Sequence, residues 1–456
     1  MSSFQESRAS SFQENGALGV DGLSVRSAAT ATSSAPSRLY VPANVEEVGV
    51  MLREIRGLRL RASVQYGHRP MPGARRSADA LVSLQNLDRI LQVDYDASTV
   101  KVQAGVKLEV LEAHLSAVGL SIPVAGDDPT LTVGDFAALG GAGITSYQFG
   151  LFVDNIEAVE YVTLDGEPGR CRKTEERDRF QRVLADAGAE HLLTALECRT
   201  VRLEKGDLAL ERKLTFITTL ETFTERAAEN LGNPAIMNHA VWLNRIALGD
   251  VRQIGLISTY SKSTKETART LRDRIAEQYN RVITSRPFAA GSPVDDILRT
   301  MSFADVLWGP KTLTLKNAES FAERMVDSSV GFPKWHFSVQ APLSQYSPLF
   351  ASLQDLLVRF RDEHCNFNAI FSVCKPIRSE HLAWKGLGER CVEIGFSIGL
   401  NGRRPMTAVE FGQLSDRVAS IASTHRATVR THTLEGPLGS VDVHAVAMRP
   451  SGIVGS

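Results

Sequence analysis

Residues 126–150 read GDDPTLTVGDFAALGGAGITSYQFG, with six glycines following two adjacent aspartates. Glycine inside a helix or strand costs about 0.5–1 kcal/mol relative to alanine, because it loses the most backbone freedom on folding. A chain that concentrates glycine here must turn tightly or bring its backbone close against something. The segment follows an apolar run, LSIPVAG, and precedes NIEAVEYVTLDGE, which reads as a strand ending in an Asp-Gly turn.

The flanking elements are short and mixed. In VPANVEEVGVMLREIRG the apolar positions Val45, Val48, Met51, Leu52 and Ile55 recur at helical spacing behind Pro42 and Asn44. Strands are expected at 59–66, 80–84, 90–94 and 99–104, then a helix in KLEVLEAHLSAVG. Beyond the glycines, EERDRFQRVLADAG reads as a helix closed by Gly188, and LLTALECRTVRLE as a strand. This order over 38–204 predicts an α+β domain, not a regularly alternating βαβ sheet.

From about 205 the texture changes. The runs KLTFITTLETF, GLISTYS, HFSVQAPL, AIFSVCKP and CVEIGFSIGL are strand candidates. They alternate with helices expected at about 262–282, 316–328, 347–363 and 407–424, which predicts an antiparallel sheet backed by helices over 205–425. That domain lacks glycine clusters, and its expected job is to enclose a substrate. Residues 1–37 read as a flexible leader, with SSFQE at 2–6 and again at 10–14, and 426–456 as a C-terminal segment.

Bulk properties exclude several classes. A chain of 456 residues is too long for one core. With a formal net charge of −1, nucleic acid and anionic membranes are not expected partners. No run of about 18 apolar residues suits a membrane span. The N-terminus lacks a secretory signal, and five cysteines without CxxC spacing fit reduced thiols in the cytoplasm, with no support for a metal site.

Common catalytic motifs are missing. GALGVDG follows no strand and GGAGITSYQFG has no acid placed to hold a ribose, so a Rossmann reading fails. No GxxxxGK[ST] loop, GxSxG elbow or HExxH helix occurs. Of the histidines, His239, His336, His425, His432 and His444 read as structural, and His68 stands out because it follows Gly67 at a strand end and opens a loop with two prolines.

Taken in order, the Gly67-His68 loop, ALVSLQNLDRIL, VDYDASTVKVQAGVKLEVLEAHLSAVGLSIP, LTVGDFAALGGAGITSYQFG and ADAGAEHLLTALECRTVRLE resemble one known arrangement. It is the FAD-binding domain of the PCMH-type (vanillyl-alcohol oxidase) flavoprotein superfamily, over about 38–204. LTVGD…GITSYQFG looks most like the cytokinin dehydrogenase branch.

The resemblance implies that the glycine segment and the Gly-His loop approach FAD, with backbone N–H groups as anion donors. Carried onto this chain, the cofactor-binding positions are Gln65, Tyr66, Gly67, His68, Arg69, Thr132, Val133, Gly134, Ala138, Gly140, Gly141, Gly143, Leu192 and Leu193. His68 falls on the histidine that many members link covalently to the flavin. Members with a second, cysteinyl link carry the cysteine where this chain has Thr130, so at most one covalent bond is implied. Asp127 falls where cytokinin dehydrogenases hold the aspartate that takes a proton from substrate, with Asp128 in reserve; GDDPT also reads as a plain acidic turn before Pro129.

This chain departs from the pattern in three places. Gln65 and Tyr66 stand where the loop is usually glycine, Asp135 turns the usual TVGG into TVGD, and Glu190 and His191 fall in a segment that is usually glycine-rich. The expectation is an FAD-dependent oxidoreductase that abstracts hydride from a C–H beside O or N of a small molecule and passes electrons to O2 or another acceptor. A natural-product tailoring oxidase or oxidative cyclase fits that description. By residue type, Trp308, Trp335, Tyr346 and Arg378 are candidates to face substrate. The alternative is a degenerate flavin-fold protein without FAD, acting as a binding protein or non-redox cyclase.

Overall fold

The computed structural model describes residues 25–27, 38–67, 79–124, 131–143, 145–185, 190–202, 209–233, 237–247, 250–262, 312–314, 334–400, 404 and 406–435.

A four-stranded sheet comes first. Strand β1 (Val25–Ser27) pairs antiparallel with β2 (Arg38–Tyr40), so the sheet begins inside the expected leader. Helix α1 (Val45–Gly57) starts at Asn44, whose side chain accepts the Glu47 N–H at 2.9 Å, while Glu47 reaches back to the Ala43 N–H. Its apolar stripe, Val48, Met51, Leu52 and Ile55, is buried. Strands β2 and β3 (Ala62–Gln65) flank β4 (Ala80–Ser83) in parallel.

Next come β5 (Ile90–Asp94), β6 (Thr99–Gln103), α2 (Leu108–Ala117), the two-residue β7 (Leu120–Ser121), α3 (Val133–Ala138) and α4 (Ser146–Phe149). They are followed by β8 (Ile156–Thr163), β9 (Pro168–Arg172), α5 (Arg177–Ala185), β10 (His191–Arg199) and β11 (Val201–Arg202), which pairs with β7. The five-stranded sheet β5-β6-β10-β8-β9 is antiparallel throughout.

The described residues beyond 204 build one antiparallel sheet of eight strands, in the order β15-β12-β14-β13-β17-β18-β16-β19. Its members are β12 (Ala209–Ile217), β13 (Met237–Ala247), β14 (Asp250–Lys262), β15 (Thr312–Thr314), β16 (Lys334–Pro342), β17 (Phe367–Arg378), β18 (Arg390–Leu400) and β19 (Thr428–Glu435). Helices α6 (Leu220–Leu231), α7 (Tyr346–His364) and α9 (Ala408–Thr424) share a core with one face of this sheet, and α8 (Glu380–Trp384) joins β17 to β18.

The expected α+β architecture is therefore present, with local differences. KLTFITTLETF is not one strand: β12 stops at Ile217, and Thr219 caps α6 by accepting the Thr222 N–H. A hydroxyl at an N-cap overrides the β preference of the threonines beside it. The sheet also continues past residue 425, because β19 pairs with β16. The helix expected at 316–328 lies outside the described residues, as does that at 262–282 apart from Lys262, which ends β14.

The two units interlock. Ile377, Leu382, Leu387 and Cys391 belong to the hydrophobic core of the first unit, although they lie on or between β17 and β18. Asp154 Oδ1 accepts the His381 N–H at 2.9 Å across the same boundary. Helix α4, the end of the glycine segment, packs against β17.

Candidate cofactor and substrate site

The described part of the glycine segment is tied together by Asp135. Thr132 Oγ1 accepts the Asp135 N–H at 3.1 Å, and Asp135 Oδ2 accepts the Thr132 N–H at 3.2 Å and its hydroxyl at 2.7 Å, which is a capping box on α3. Oδ1 of the same carboxylate accepts the Tyr66 N–H at 3.4 Å. The acid that breaks the TVGG pattern is thus a helix cap and a tie to the Gly67 loop.

Other donors at the α3 terminus are also engaged. The Val133 N–H goes to Val106 O at 2.8 Å and the Gly134 N–H to Ala104 O at 2.7 Å. The N–H groups of 132–135 therefore all bond within the protein.

Tyr66 explains one of the glycines. Its side chain is fully buried, and a Cβ on Gly134 would meet the Tyr66 ring at 2.5 Å. The ring lies between α3 and β10, where Tyr66 Oη accepts the Leu193 N–H at 3.2 Å beside a β-bulge. Gly141, at φ +63°, is held against Phe152 and Phe136, where a side chain would be strained and crowded. Packing within the protein requires both of these glycines.

The remaining expected positions fall nearby. Val133, Leu192 and Leu193 are buried in the first core, Ala138 packs at its edge, and Gly140 turns the chain at φ +77°. The Gly143 N–H donates to Ser146 Oγ at 2.9 Å at the start of α4. Gln65 is buried at the end of β3. His68, Arg69, Asp127, Asp128 and Trp308 lie outside the described residues.

Two observations bear on whether FAD fits. Gln65 Oε1 and Ser83 Oγ, paired in the β3–β4 register, are buried without a hydrogen-bond partner, as is Thr194 Oγ1 next to Leu193. Buried polar atoms are nearly always paired, so orphans grouped around one region fit a bound polar molecule. A cleft of about 370 Å³ opens just past the ends of β3 and β4, lined by Gly67, Gln85, Lys107, Leu131, Thr132 and Asp135 among others, while Gln65 and Ser83 lie two residues earlier in the chain. The Lys107 ammonium suits a diphosphate there, although Asp88 and Glu109 share the rim. The residues present fit the cofactor through this cleft and these side chains.

A second polar region lies on the eight-stranded sheet. Trp335, Phe337 and Val339 of β16 face the helices, so alternation puts His336, Ser338 and Gln340 on the opposite face. Their cross-strand neighbours on β18 are Ser397, Gly395 and Glu393, and Glu393 is in turn opposite Lys375 on β17. Gln340 Nε2 donates to Glu393 Oε2 at 2.8 Å, and Ser397 Oγ lies 2.6 Å from His336 Nδ1. The next pair along β17 and β18, Ile377 and Cys391, is in the first unit's core. The polar face therefore meets the first unit at its edge, on the strand against which α4 packs.

The substrate candidates chosen by residue type behave differently. Trp335 and Tyr346 are buried on the helix side, stacked on Phe337 and Phe350 respectively, and Arg378 pairs with Glu389 on the surface. Large aromatic groups fill the core between sheet and helices, so none of these three is on the polar face. Sequence reasoning missed that face, whose signal was the strict alternation of WHFSVQA.

Comparison with known proteins agrees with this geometry. Residues 36–172 match the family described as FAD binding domain. The chain is 30% identical over 162 residues to L-gulonolactone oxidase of Scyliorhinus torazame, covering 35% of this chain and 36% of that protein. It is 32% identical over 186 residues to Delta(24)-sterol reductase of Mus musculus, covering 39% and 36%. A putative D-arabinono-1,4-lactone oxidase of Neurospora crassa is 28% identical over 172 residues, covering 37% and 30%. The matched region thus spans about a third of the length of these relatives. A variant of berberine bridge enzyme superposes with a TM-score of 0.57 at 15% identity, covering 87% of this chain and 77% of that one, which shows a shared fold. Residues 36–172 thus match an FAD binding domain, and the chain shares its fold with berberine bridge enzyme.

Proposed function

We propose that the protein is an FAD-dependent oxidoreductase that removes hydride from a C–H beside oxygen or nitrogen of a small molecule. The observation that carries this reading is the contact of α4, the end of the glycine segment, with β17, whose Lys375 sits in the polar row. That contact brings the cofactor unit to a buried set of hydrogen-bonding side chains, which is what a redox site for a polar substrate needs.

Bound FAD supplies the hydride acceptor and passes the electrons to O2 or another acceptor. The protein supplies the rest. Gln65, Ser83 and Thr194, with the cleft at Gly67, Lys107 and Thr132, hold the cofactor, and His68 is the residue proposed to link to it. Asp127 takes the proton that leaves the substrate O–H or N–H as hydride departs, with Asp128 next in line. The segment carrying them follows Pro123, whose carbonyl accepts the Thr145 hydroxyl at 2.9 Å beside α4. The chain is thereby fixed near the β17 contact just before the two acids.

A role as a natural-product tailoring oxidase or oxidative cyclase is supported only by the fold shared with berberine bridge enzyme. A cytoplasmic location is supported by five free thiols. Among the described residues no helix is long and apolar enough to cross a membrane.

The test is the visible spectrum of purified protein before and after acid precipitation. A flavin band near ~450 nm is expected, bleached anaerobically by a substrate alcohol, lactone or amine. Yellow retained in the acid pellet and lost in His68→Ala supports the covalent bond. A folded, colourless protein that takes up no added FAD overturns the reading in favour of a cofactor-free binding protein or non-redox cyclase.

A further inference from the structure

We infer that Gln340 is a specificity-determining residue, whose side-chain carbonyl accepts a hydrogen bond from a neutral hydroxyl or N–H of the substrate, remote from the carbon that is oxidised. The inference rests on the proposed oxidoreductase reading and adds a requirement on the substrate.

Gln340 is fully buried, yet its Oε1 has no hydrogen-bond partner. Its amide cannot turn over to relieve this. Nε2 donates to Glu393 Oε2 at 2.8 Å, and an ionised carboxylate only accepts, so the NH2 group must face Glu393 and the oxygen must face elsewhere. Leaving such an acceptor unpaired costs about 1–3 kcal/mol. A ligand donor that displaces the side chains closing over the oxygen removes that cost on binding.

Space lies beside it. The neighbouring pair on the same face is Ser338 opposite Gly395, and the pair after that is His336 opposite Ser397. Among the described residues, the nearest atom to a Cβ placed on Gly395 is Val373 O at 3.9 Å, so the glycine leaves room above it in a row that Ser338 and Val373 complete. One wall is Gln340 with Glu393 and Lys375; the other is the Ser397–His336 pair with Phe371, opposite Ser397 on β17.

The chemistry limits the occupant. A carboxylate or phosphate has no proton for Gln340 Oε1, and an apolar group would leave the oxygen unpaired. Lys375 and Glu393 stand opposite one another with opposite charges, so the row does not favour an ion of either sign. A neutral hydroxyl or N–H satisfies the oxygen.

The test uses FAD-loaded protein and matched probes: butanediol, pentanediol and hexanediol with hydroxyls at both ends, against the corresponding monoalcohols. Binding is read from perturbation of the flavin spectrum, and turnover from anaerobic bleaching. At least one diol is expected to bind about tenfold or more tightly than its monoalcohol. Gln340→Leu, which keeps volume but has no acceptor, should abolish that preference by weakening the diol alone. Gly395→Val, which fills the gap while Gln340 stays, should weaken the diol as well, and it serves if Gln340→Leu does not fold. A parent protein without diol preference, including one that binds neither probe, overturns the inference, and so does a folded Gln340→Leu that keeps the preference. Bleaching separates the two readings. Diol preference without bleaching supports the Gln340 site and counts against alcohol oxidation, while bleaching without preference does the reverse.

Discussion

The Leu193 N–H donates to Tyr66 Oη at 3.2 Å, joining β10 to the end of β3 across 127 positions of sequence. Tyr66 stands where the flavoprotein pattern has glycine, and its ring occupies the space that Gly134 leaves open. One aromatic side chain thus fastens together the Gly67 loop, α3 and β10.

Changing it should therefore loosen the cofactor unit. Tyr66→Phe leaves the Leu193 N–H buried and unpaired, at a cost of about 1–3 kcal/mol. Tyr66→Gly, which restores the usual loop residue, also leaves a ring-sized void and should cost about 3–5 kcal/mol. Urea unfolding followed by circular dichroism measures both, and a Tyr66→Gly protein as stable as its parent would show that the wedge contributes nothing.

Asp135 is expected to matter for folding. Asp135→Ala removes the acceptor for the Thr132 and Tyr66 N–H groups and should lower stability by about 1–3 kcal/mol. Thr132→Ala, which removes the reciprocal half of the cap, should cost about 0.5–2 kcal/mol. Because the two groups belong to one network, the double variant should lose less than the sum. Strict additivity in the same urea experiment would argue against a coupled cap.

Much of this was legible in sequence, and the limits have physical causes. The strand expected at 90–94 is Ile90–Asp94, and the helix expected at 347–363 is Tyr346–His364, because both carry clean local periodicity. The role of Asp135 was not legible as a charge near an anion site, since its partners include a backbone N–H 69 residues away. His336 was weighed as an isolated histidine, whereas its meaning comes from Ser397, 61 residues on and opposite it in the sheet. Strand register places such pairs, and local sequence does not encode it.

Asp154 should give the protein a pH signature. Burial pushes its carboxyl above the ordinary value of 3.8, against the opposing hydrogen bonds from Ser379, His381 and Leu151 and the charge of Lys173. The folded state therefore holds this proton more tightly than the unfolded chain. The associated stability is complete below the ordinary value and is lost as pH rises through the raised one. Thermal melts of Asp154→Asn, compared with the parent across that window, should lack this fall. An unchanged pH slope in the variant would assign the effect to another group.

Asp127 is expected to act in chemistry and not in folding. Asp127→Asn keeps size and hydrogen bonding but cannot accept the substrate proton. The variant should melt like the parent, keep its flavin, and reduce it about 10²–10⁴-fold more slowly in single-turnover mixing. Flavin reduction at the parental rate would move the role to Asp128.

The presence of Ile377, Leu382, Leu387 and Cys391 in the first core bears on how the molecule is made on the ribosome. Those residues emerge 175 to 189 positions after β11 closes the first unit at Arg202. A nascent chain that has released the whole of 38–204 still lacks the apolar surface that completes its interior. The first unit must wait, part-finished, until the β17–β18 hairpin arrives to dock on it. A fragment cut near residue 204 would carry the matched family segment intact and still expose an unfinished apolar seam, prone to aggregate.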